Sequence, residues 1–576
     1  MRVVPVTSVL EKYGLKEPGL IALQPNLDSY KSLLLQPHGE LDVSRDGVSH
    51  RHAAKADSQF SAFLRCARNS AADICVTPEY SMPWSVLLAS LKSNVSPAAG
   101  KIWVLGCESI SYQDLVQLKV DNEKSMSIIF EDLSSAPGRF LDPLAYVFQA
   151  TSSDGAQRLV VLVQFKTVPM GDKENFEVNN LQRGTTVYVF GNAARDIKMA
   201  AIICSDAFAF SDHAQELYDR ALIIHIQLNP DPRNHTFRTY KNHFLDYQND
   251  ETEIVCLNWA SGICHWESEQ RILWKNIGGS AWYTKSRQCA VDDESVNENH
   301  RRGLYYTWLE CSRTHSLFFN YDPSVYELIS SKVYHYGVKG PISPRLGPRL
   351  TRTLAWNDAV GDWVEQIVVD GGFAIQASEA GKAKAQLLDF ADRSPIAAER
   401  AITLCAGDFG VHPSWYNVAH LSSCKLDETE VVNRITYCQD PNAAQFRGIR
   451  LRRCGQIFRY VESNQVPEAL SDLSKNLILD WQSSAPYQNA KSDRGRATLV
   501  NFGDDKSVIE VIAAAKRIAN HLHQSSKNEE DSRNAKQRIA VWYQDADGAV
   551  KLLDLKEYTY IDRVESGPAF DIAGEA

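Results

Sequence analysis

Over the first half of the chain, short apolar runs alternate with amphipathic stretches, and each run closes on a polar or turn residue. GLIALQPN predicts a strand over 20–24, bounded by Gly19 and Pro25. A polar loop is expected over about 36–56. SQFSAFLRCARNSA then places Phe60, Phe63, Leu64 and Ala67 at helical spacing, with Ser58 as cap. ICVTP reads as a buried strand ending at Pro78-Glu79-Tyr80, WSVLLASLKSN as a helix, and IWVLGCESI as the next strand. MSIIFEDL, LAYVFQA, LVVLVQF and TVYVFG continue the series. KMAAIIC is a buried strand ending at Cys204, and ALIIHIQL is another ending at Asn229-Pro230. EIVCLNWASG, GGSAWYT and HSLFFNYD follow, and SVYELISSKV predicts a helix that closes the pattern near Lys332. Such alternation predicts an α/β fold.

GVKGPISPRLGPRL, residues 337–350, is dense in Gly and Pro and lacks periodicity, so it reads as a linker. Three segments are expected: a domain over 1–335, a linker over 336–350, and a second α+β domain of unassigned fold over 351–576. In the last, 507–524 is a strongly amphipathic helix, 525–537 a polar mobile loop, and RIAVWYQDADGAVKLLDL a hairpin over the turn 545–548.

Composition narrows the function classes. With 61 basic and 71 acidic residues, the net charge of −10 argues against general attraction to nucleic acid or an anionic membrane. The apolar core of a signal peptide and a membrane-length apolar run are both lacking, and the twelve cysteines are irregularly spaced without a C-x-x-C pair. These features predict a reducing, cytoplasmic setting with no membrane association.

Three residues stand where chemistry can be built, each at or near the end of a buried run: Glu79, Lys166 and Cys204. Strand ends of this kind converge on a crevice. A carboxylate can take the thiol proton, and a buried ammonium favours the resulting anion. Attack on an amide or nitrile carbon would place charge on O or N, where the lysine and the Ser205 N–H can stabilise it. Glu79 would then activate water for release of the acid. This chemistry calls for no metal and no organic cofactor.

The motifs VTPEYS, VLVQFKTVPMG and IKMAAIICSDAFAF resemble, in that order, the Glu, Lys and Cys motifs of the nitrilase, or carbon–nitrogen hydrolase, superfamily. LQRGTTVYVF, CLNWASG and GGSAWYT add to the resemblance, which runs from about Leu20 to Lys332. It implies an α-β-β-α sandwich, a Cys-Glu-Lys triad acting through a thioester, a small amide or nitrile substrate with amide favoured, and a homo-dimer or higher oligomer. It further implies a second glutamate near the lysine, Glu174 or preferably Glu177. Tyr80, Trp84, Asp206, Phe208 and Asn229, with Ser205, are candidates for the pocket. The chain departs from the family in Thr-Val-Pro after the lysine and in HFLDYQNDETEIV, so substrate preference does not transfer. The competing expectation is a nitrilase-like oligomerising scaffold, effector or sensor, as in bacterial antiphage defence, with little or no hydrolase activity.

Other clusters carry less. Arg233, His235, Arg238 and Lys241 read as a solvated loop and helix start. Cys405, His412, His420 and Cys424 lack the close spacing of zinc ligands. Arg447, Arg450, Arg452 and Arg453 form the densest basic cluster, with Arg450 and Arg452 on one face if the segment is a strand.

Overall fold

The computed structural model describes residues 1–25, 28–171, 176–191, 197–214, 217, 220–230, 235–246, 252–260, 263–267, 270–273, 280–285, 289–290, 304–309, 314–319, 322–332, 345–346, 348–366, 403–407, 409, 441–475, 477–479, 487–504 and 506–555. Glu174, Arg233, His412, His420 and Cys424 lie outside them, as does most of the expected linker. The chain divides into two compact units, Met1–Tyr306 with Cys311–Val369, and Asp370–Ala576 with Thr307–Glu310.

The first unit is mixed α/β. A ten-stranded sheet includes, in spatial order, Asp362–Glu365, Arg349–Asn357, Ser324–Ser331, Ser29–Gln36, Ile74–Met82, Ile102–Cys107, Pro143–Ser152, Gln157–Phe165 and Ser127–Phe130. A second sheet runs Arg2–Pro5, Thr186–Phe190, Lys198–Ile203, Ala221–Ile226, Thr252–Leu257, Ala281–Lys285 and Thr314–Phe319. Its three central strands are parallel, in the registers Ile203↔Ile226↔Leu257, so their carboxyl ends align. Side chains of the two sheets meet: Tyr146 and Phe148 pack on Phe190 at 5.1 and 5.6 Å, and Tyr30 donates to Glu253 at 2.9 Å. The Gln164 amide donates to Ala201 O at 2.9 Å and accepts from Tyr188 N at 2.9 Å and from the Tyr146 hydroxyl at 3.1 Å. Every group in this buried bridge has a partner, which is the condition for a polar core group to be tolerated. Helices Ala53–Asn69 and Trp84–Lys92 bury Phe60, Phe63, Leu64, Leu87 and Leu91 in a core shared with the ten-stranded sheet.

Several expectations are corrected here. Residues 20–24 do not extend as a strand: Ile21–Leu23 is a 3-10 turn whose Ile21 N donates to Gly100 O at 2.8 Å, and the carbonyls of Ile21 and Gln24 accept from Lys332 Nζ. The polar stretch 36–56 holds a hairpin, Glu40–Ser44 with Gly47–His50. The next helix begins at Ala53, and Ser58, inside it, bonds back to Ala54 O at 3.0 Å instead of capping.

SVYELISSKV is a strand, Ser324–Ser331, paired antiparallel with Ser29–Gln36 on one side and Arg349–Asn357 on the other. Partners on both sides satisfy its backbone, and this outweighs a local pattern compatible with a helix. Arg349–Asn357 therefore belongs to a sheet of the first unit, and the division expected at 336–350 falls inside that unit.

In the second unit, Gly495–Asn501 and Ile539–Gln544 are parallel neighbours joined through the helix Val508–Gln524, which buries Val511, Ala515, Ile518 and Leu522 against Val500 and Val541. The opposite face meets the helix Pro441–Glu462, where Asn501 donates to Gln456 Oε1 at 2.7 Å and Tyr460 packs on Trp542 at 5.4 Å. The basic cluster is thus on a helix, not a strand. Ser507 and Glu510 form a capping box, as 507–524 suggests, and the hairpin over 545–548 is present. Residues 529–537, expected as part of a mobile loop, are a helix: Asn528 caps it by accepting from Asp531 N at 2.8 Å, and Glu529, Glu530 and Asp531 suit its positive end.

Candidate active site

The Glu79 strand is not regular. Its pairing with Ile102–Cys107 jumps from Thr77↔Leu105 to Met82↔Cys107, so 78–81 bulge out of the ladder. Tyr80 takes φ +56°, and Ser81 Oγ donates to Pro78 O at 2.6 Å, holding the bulge. Gly106 makes it possible: a Cβ there would lie 2.1 Å from Pro78 O. The bulge carries Glu79 toward the aligned strand ends of the second sheet. There Glu79 Oε2 accepts from Leu228 N, and its carbonyl accepts from Trp259 Nε1 at 2.8 Å.

Lys166 follows directly on Gln157–Phe165. Its Nζ lies 2.8 Å from Glu79 Oε1, 2.7 Å from Glu177 Oε1 and 3.5 Å from Asp142 Oδ2, with all four side chains buried. Glu177 also accepts from Tyr80 Oη at 3.0 Å and from Met170 N at 2.6 Å. Glu79, Asp142 and Glu177 together offer a metal-like carboxylate set, but the ammonium occupies its centre. Burial alone would lower the lysine pKa; Glu177, Glu79, Cys204 and Asp142 reverse that and hold it well above the ordinary value.

Cys204 opens the 3-10 turn that follows Lys198–Ile203, at φ +41°, a strained conformation for a residue with a side chain. Two further residues of the turn fasten it to the exit of the lysine strand. Asp206 Oδ1 accepts from Thr167 N at 2.7 Å, Thr167 Oγ1 at 2.8 Å and Val168 N at 2.9 Å, while Ser205 Oγ donates to Val168 O at 2.6 Å. Behind the turn, His225 Nε2 donates to Cys204 O at 2.9 Å, and Tyr240 Oη meets His225 Nδ1 at 2.7 Å. Burial pulls His225 down to about 3, so the ring is neutral.

The structure brings Glu79, Lys166, Glu177 and Cys204 together, joined by Tyr80. It gives Ser205 and Asp206 bracing contacts through their side chains. Phe208 is partly exposed against Phe237 at 5.0 Å. Asn229 is buried at the end of its strand, with Asn258 Nδ2 donating to its carbonyl at 2.8 Å. Trp84 belongs to the core under its helix, with Nε1 donating to Glu108 O at 3.0 Å.

Two residues missing from the expected site are Asp142 and His225. Asp142 sits opposite Lys166 because Pro143 pairs with Phe165 in the hairpin, and the signal was LDP directly before a buried strand. His225 is the one polar side chain inside ALIIHI.

The electrostatics differ from a simple lysine-stabilised thiolate. Burial raises Cys204 well above the ordinary thiol value; Glu79, Glu177 and Asp142 add to the rise and outweigh Lys166. Burial also raises Glu79 and Asp142, the latter well above the usual carboxylate range. The thiol therefore keeps its proton in the resting site, and attack requires that proton to move to a base as the C–S bond forms.

No family model and no curated protein matches the chain. Among solved structures it is similar to a CN-hydrolase superfamily protein from Xanthomonas campestris that carries an arsenic adduct in its active site, at 11% identity and TM-score 0.27, covering 44% of this chain and 83% of that one. It is also similar to a glutamine-dependent NAD+ synthetase from Acinetobacter baumannii, at 13% identity and TM-score 0.31, covering 55% of this chain and 48% of that chain, about half its length.

Proposed function

We propose that the first unit is a carbon–nitrogen hydrolase of the nitrilase type, an α-β-β-α sandwich that cleaves a non-peptide C–N bond, amide in preference to nitrile. The observation that carries this reading is Lys166 Nζ held between Glu79 and Glu177 at 2.8 and 2.7 Å, beside Cys204 on a strained turn. Strained backbone and buried charge both cost stability, and they cluster where chemistry is done.

In this mechanism Glu79 takes the Cys204 proton as Sγ attacks the carbonyl carbon, and Lys166 with the Ser205 N–H stabilises the oxyanion. Glu79 returns the proton to the departing nitrogen, so ammonia or an amine leaves and a thioester remains. Glu79 then deprotonates water, which attacks the thioester, and the carboxylic acid leaves as the thiol is restored. For a nitrile the first adduct is a thioimidate. The substrate is a small molecule, and the unit pairs with a second copy through a helical face.

The test is iodoacetamide labelling at pH 7, read by mass spectrometry, alongside ammonia release from a panel of small amides and nitriles. Wild type is compared with Glu79→Gln, Lys166→Ala and Cys204→Ala. Labelling of Cys204 ahead of the other eleven cysteines, slowed by Glu79→Gln or Lys166→Ala, with ammonia release lost in Cys204→Ala, supports the reading. An inert Cys204 and no ammonia from any amide or nitrile would reject it. That outcome favours the scaffold reading, to which one observation already points: Cys204 is only 2% exposed.

A further inference from the structure

The second unit contains a crevice of about 440 Å³ lined by Arg452, Arg453, Gln456, Tyr460, Asn501, Gly503, Asp504, Tyr543 and Gln544, with Ile449 and Val550 at its apolar margin. Its location follows from topology. Gly495–Asn501 and Ile539–Gln544 are parallel, and Asn501, Gly503 and Asp504 on one chain segment and Tyr543 and Gln544 on the other lie at their carboxyl ends. With helices on both faces of such a pair, the carboxyl edge is where α/β proteins bind ligands. The volume falls in the range of small-molecule sites.

The lining has a definite chemistry. The lining holds two guanidinium groups and one carboxylate, so the crevice carries excess positive charge. Arg453 is buried and donates to Ala406 O at 3.3 Å, whereas Arg452 is exposed at the rim. Gly503, at φ +60°, lets the Arg453 guanidinium lie across the turn: a Cβ there would meet its Nε at 2.8 Å and Nη2 at 3.0 Å. Planar guanidinium groups match phosphate oxygens in pairs. Asp504, the Gln456 NH2 and the Gln544 amide oxygen suit hydroxyl groups, Asn501 holds Gln456 and Gly503 in place, and two tyrosine rings supply flat surface.

We propose that this crevice binds a phosphate monoester of a hydroxyl-bearing sugar, with Arg452 and Arg453 holding the phosphate and Asp504 accepting from sugar hydroxyls. The basic cluster at 450–453, otherwise unexplained by the hydrolase site, thereby acquires a role, and the second unit becomes a ligand-binding unit on the chain that carries the hydrolase site.

The test is calorimetric titration of the full chain with ribose 5-phosphate, AMP, inorganic phosphate and ribose, for wild type, Arg452→Glu, Asp504→Asn and Cys204→Ala. The expected result is binding of ribose 5-phosphate or AMP, unchanged in Cys204→Ala. Affinity should be weakened roughly tenfold or more by Arg452→Glu, which is exposed and leaves the core intact. Tighter binding of AMP than of ribose 5-phosphate would identify a nucleotide as the ligand; equal binding would identify the sugar phosphate alone. Absence of binding by both esters, or binding indifferent to Arg452→Glu, overturns the proposal. Inorganic phosphate binding as tightly as either ester, with Asp504→Asn silent, overturns the assignment to a sugar.

Discussion

Asp142 faces Glu79 across the site with neither carboxyl oxygen receiving an N–H or O–H from any other described residue, while Lys166 Nζ stands 3.5 Å from its Oδ2. Two buried carboxyl groups in hydrogen-bonding reach of each other are stable when one proton is shared between them. Glu79 has Lys166 Nζ at 2.8 Å and accepts from Leu228 N, whereas Asp142 has the ammonium only at 3.5 Å, so the charge belongs on Glu79 and the proton on Asp142. Replacing Asp142 with Asn keeps a neutral donor toward Glu79 and abolishes the charge that Asp142 takes on when it ionises, a charge that opposes the Cys204 thiolate. The pH midpoint of Cys204 alkylation should therefore move down in Asp142→Asn, with faster labelling at pH 8. An unchanged or raised midpoint would show that Asp142 is not electrostatically coupled to the thiol.

Lys166 is the sole cation that the described residues place among three buried carboxyl groups. Lys166→Met should cost about 3–5 kcal/mol of stability, the usual penalty for leaving one side of a buried ion pair uncompensated. Urea denaturation monitored by circular dichroism measures it. A loss below about 1 kcal/mol would mean that the carboxyl groups simply take up protons, and the ammonium is then not the organiser of the site.

His225 and Asp206 give the first unit opposing pH dependences. His225 is lowered to about 3, so its neutral form is required by the fold, and its contribution is lost as pH falls from the ordinary histidine range toward 3. Burial raises Asp206 to about 6 despite its hydrogen bonds, so its protonation in the folded state adds stability as pH drops through 6. Urea midpoints at pH 7, 6, 5 and 4 should decline less steeply in His225→Gln than in wild type, and more steeply in Asp206→Asn. Parallel curves for all three proteins would show that neither group governs acid sensitivity.

Gly106 is set against the Glu79 bulge, with the site of a Cβ only 2.1 Å from Pro78 O, a backbone atom that cannot swing aside. Gly106→Ala should destabilise the protein by about 3 kcal/mol or more and slow Cys204 labelling, because the displaced segment carries Glu79. Wild-type stability in thermal unfolding would show that the bulge yields without cost.

The positions of Glu79, Lys166 and Cys204 were legible because each polar residue closes a buried apolar run, a pattern that local sequence contains. Glu177 was legible only as one of two glutamates; a short helix turns it toward Lys166. Asp142 was not legible, because its place depends on hairpin register, Phe165 against Pro143, which no local pattern encodes. Residues 324–331 show the same limit: Val325 and Leu328 suit a helical face, yet strands from both sequence directions pair with the segment. The arginines at 450–453 failed in the opposite sense, since a four-residue charge pattern cannot distinguish strand from helix, and the long helix that carries them is fixed by its packing on Asn501 and Trp542.

The Gln164 amide has a consequence for how such a site can change. It sits two positions before Lys166 and grips Ala201, three positions before Cys204, so the spacing between ammonium and thiol is measured from inside the core. Segments outside those two strands can be lengthened, shortened or exchanged without that measurement being disturbed. Slipping either strand by one residue, by contrast, would strand a buried amide and move Lys166 out of register with Cys204. The spacing of Lys166 and Cys204 is thus inherited with the interior, while the surface around them remains free to vary.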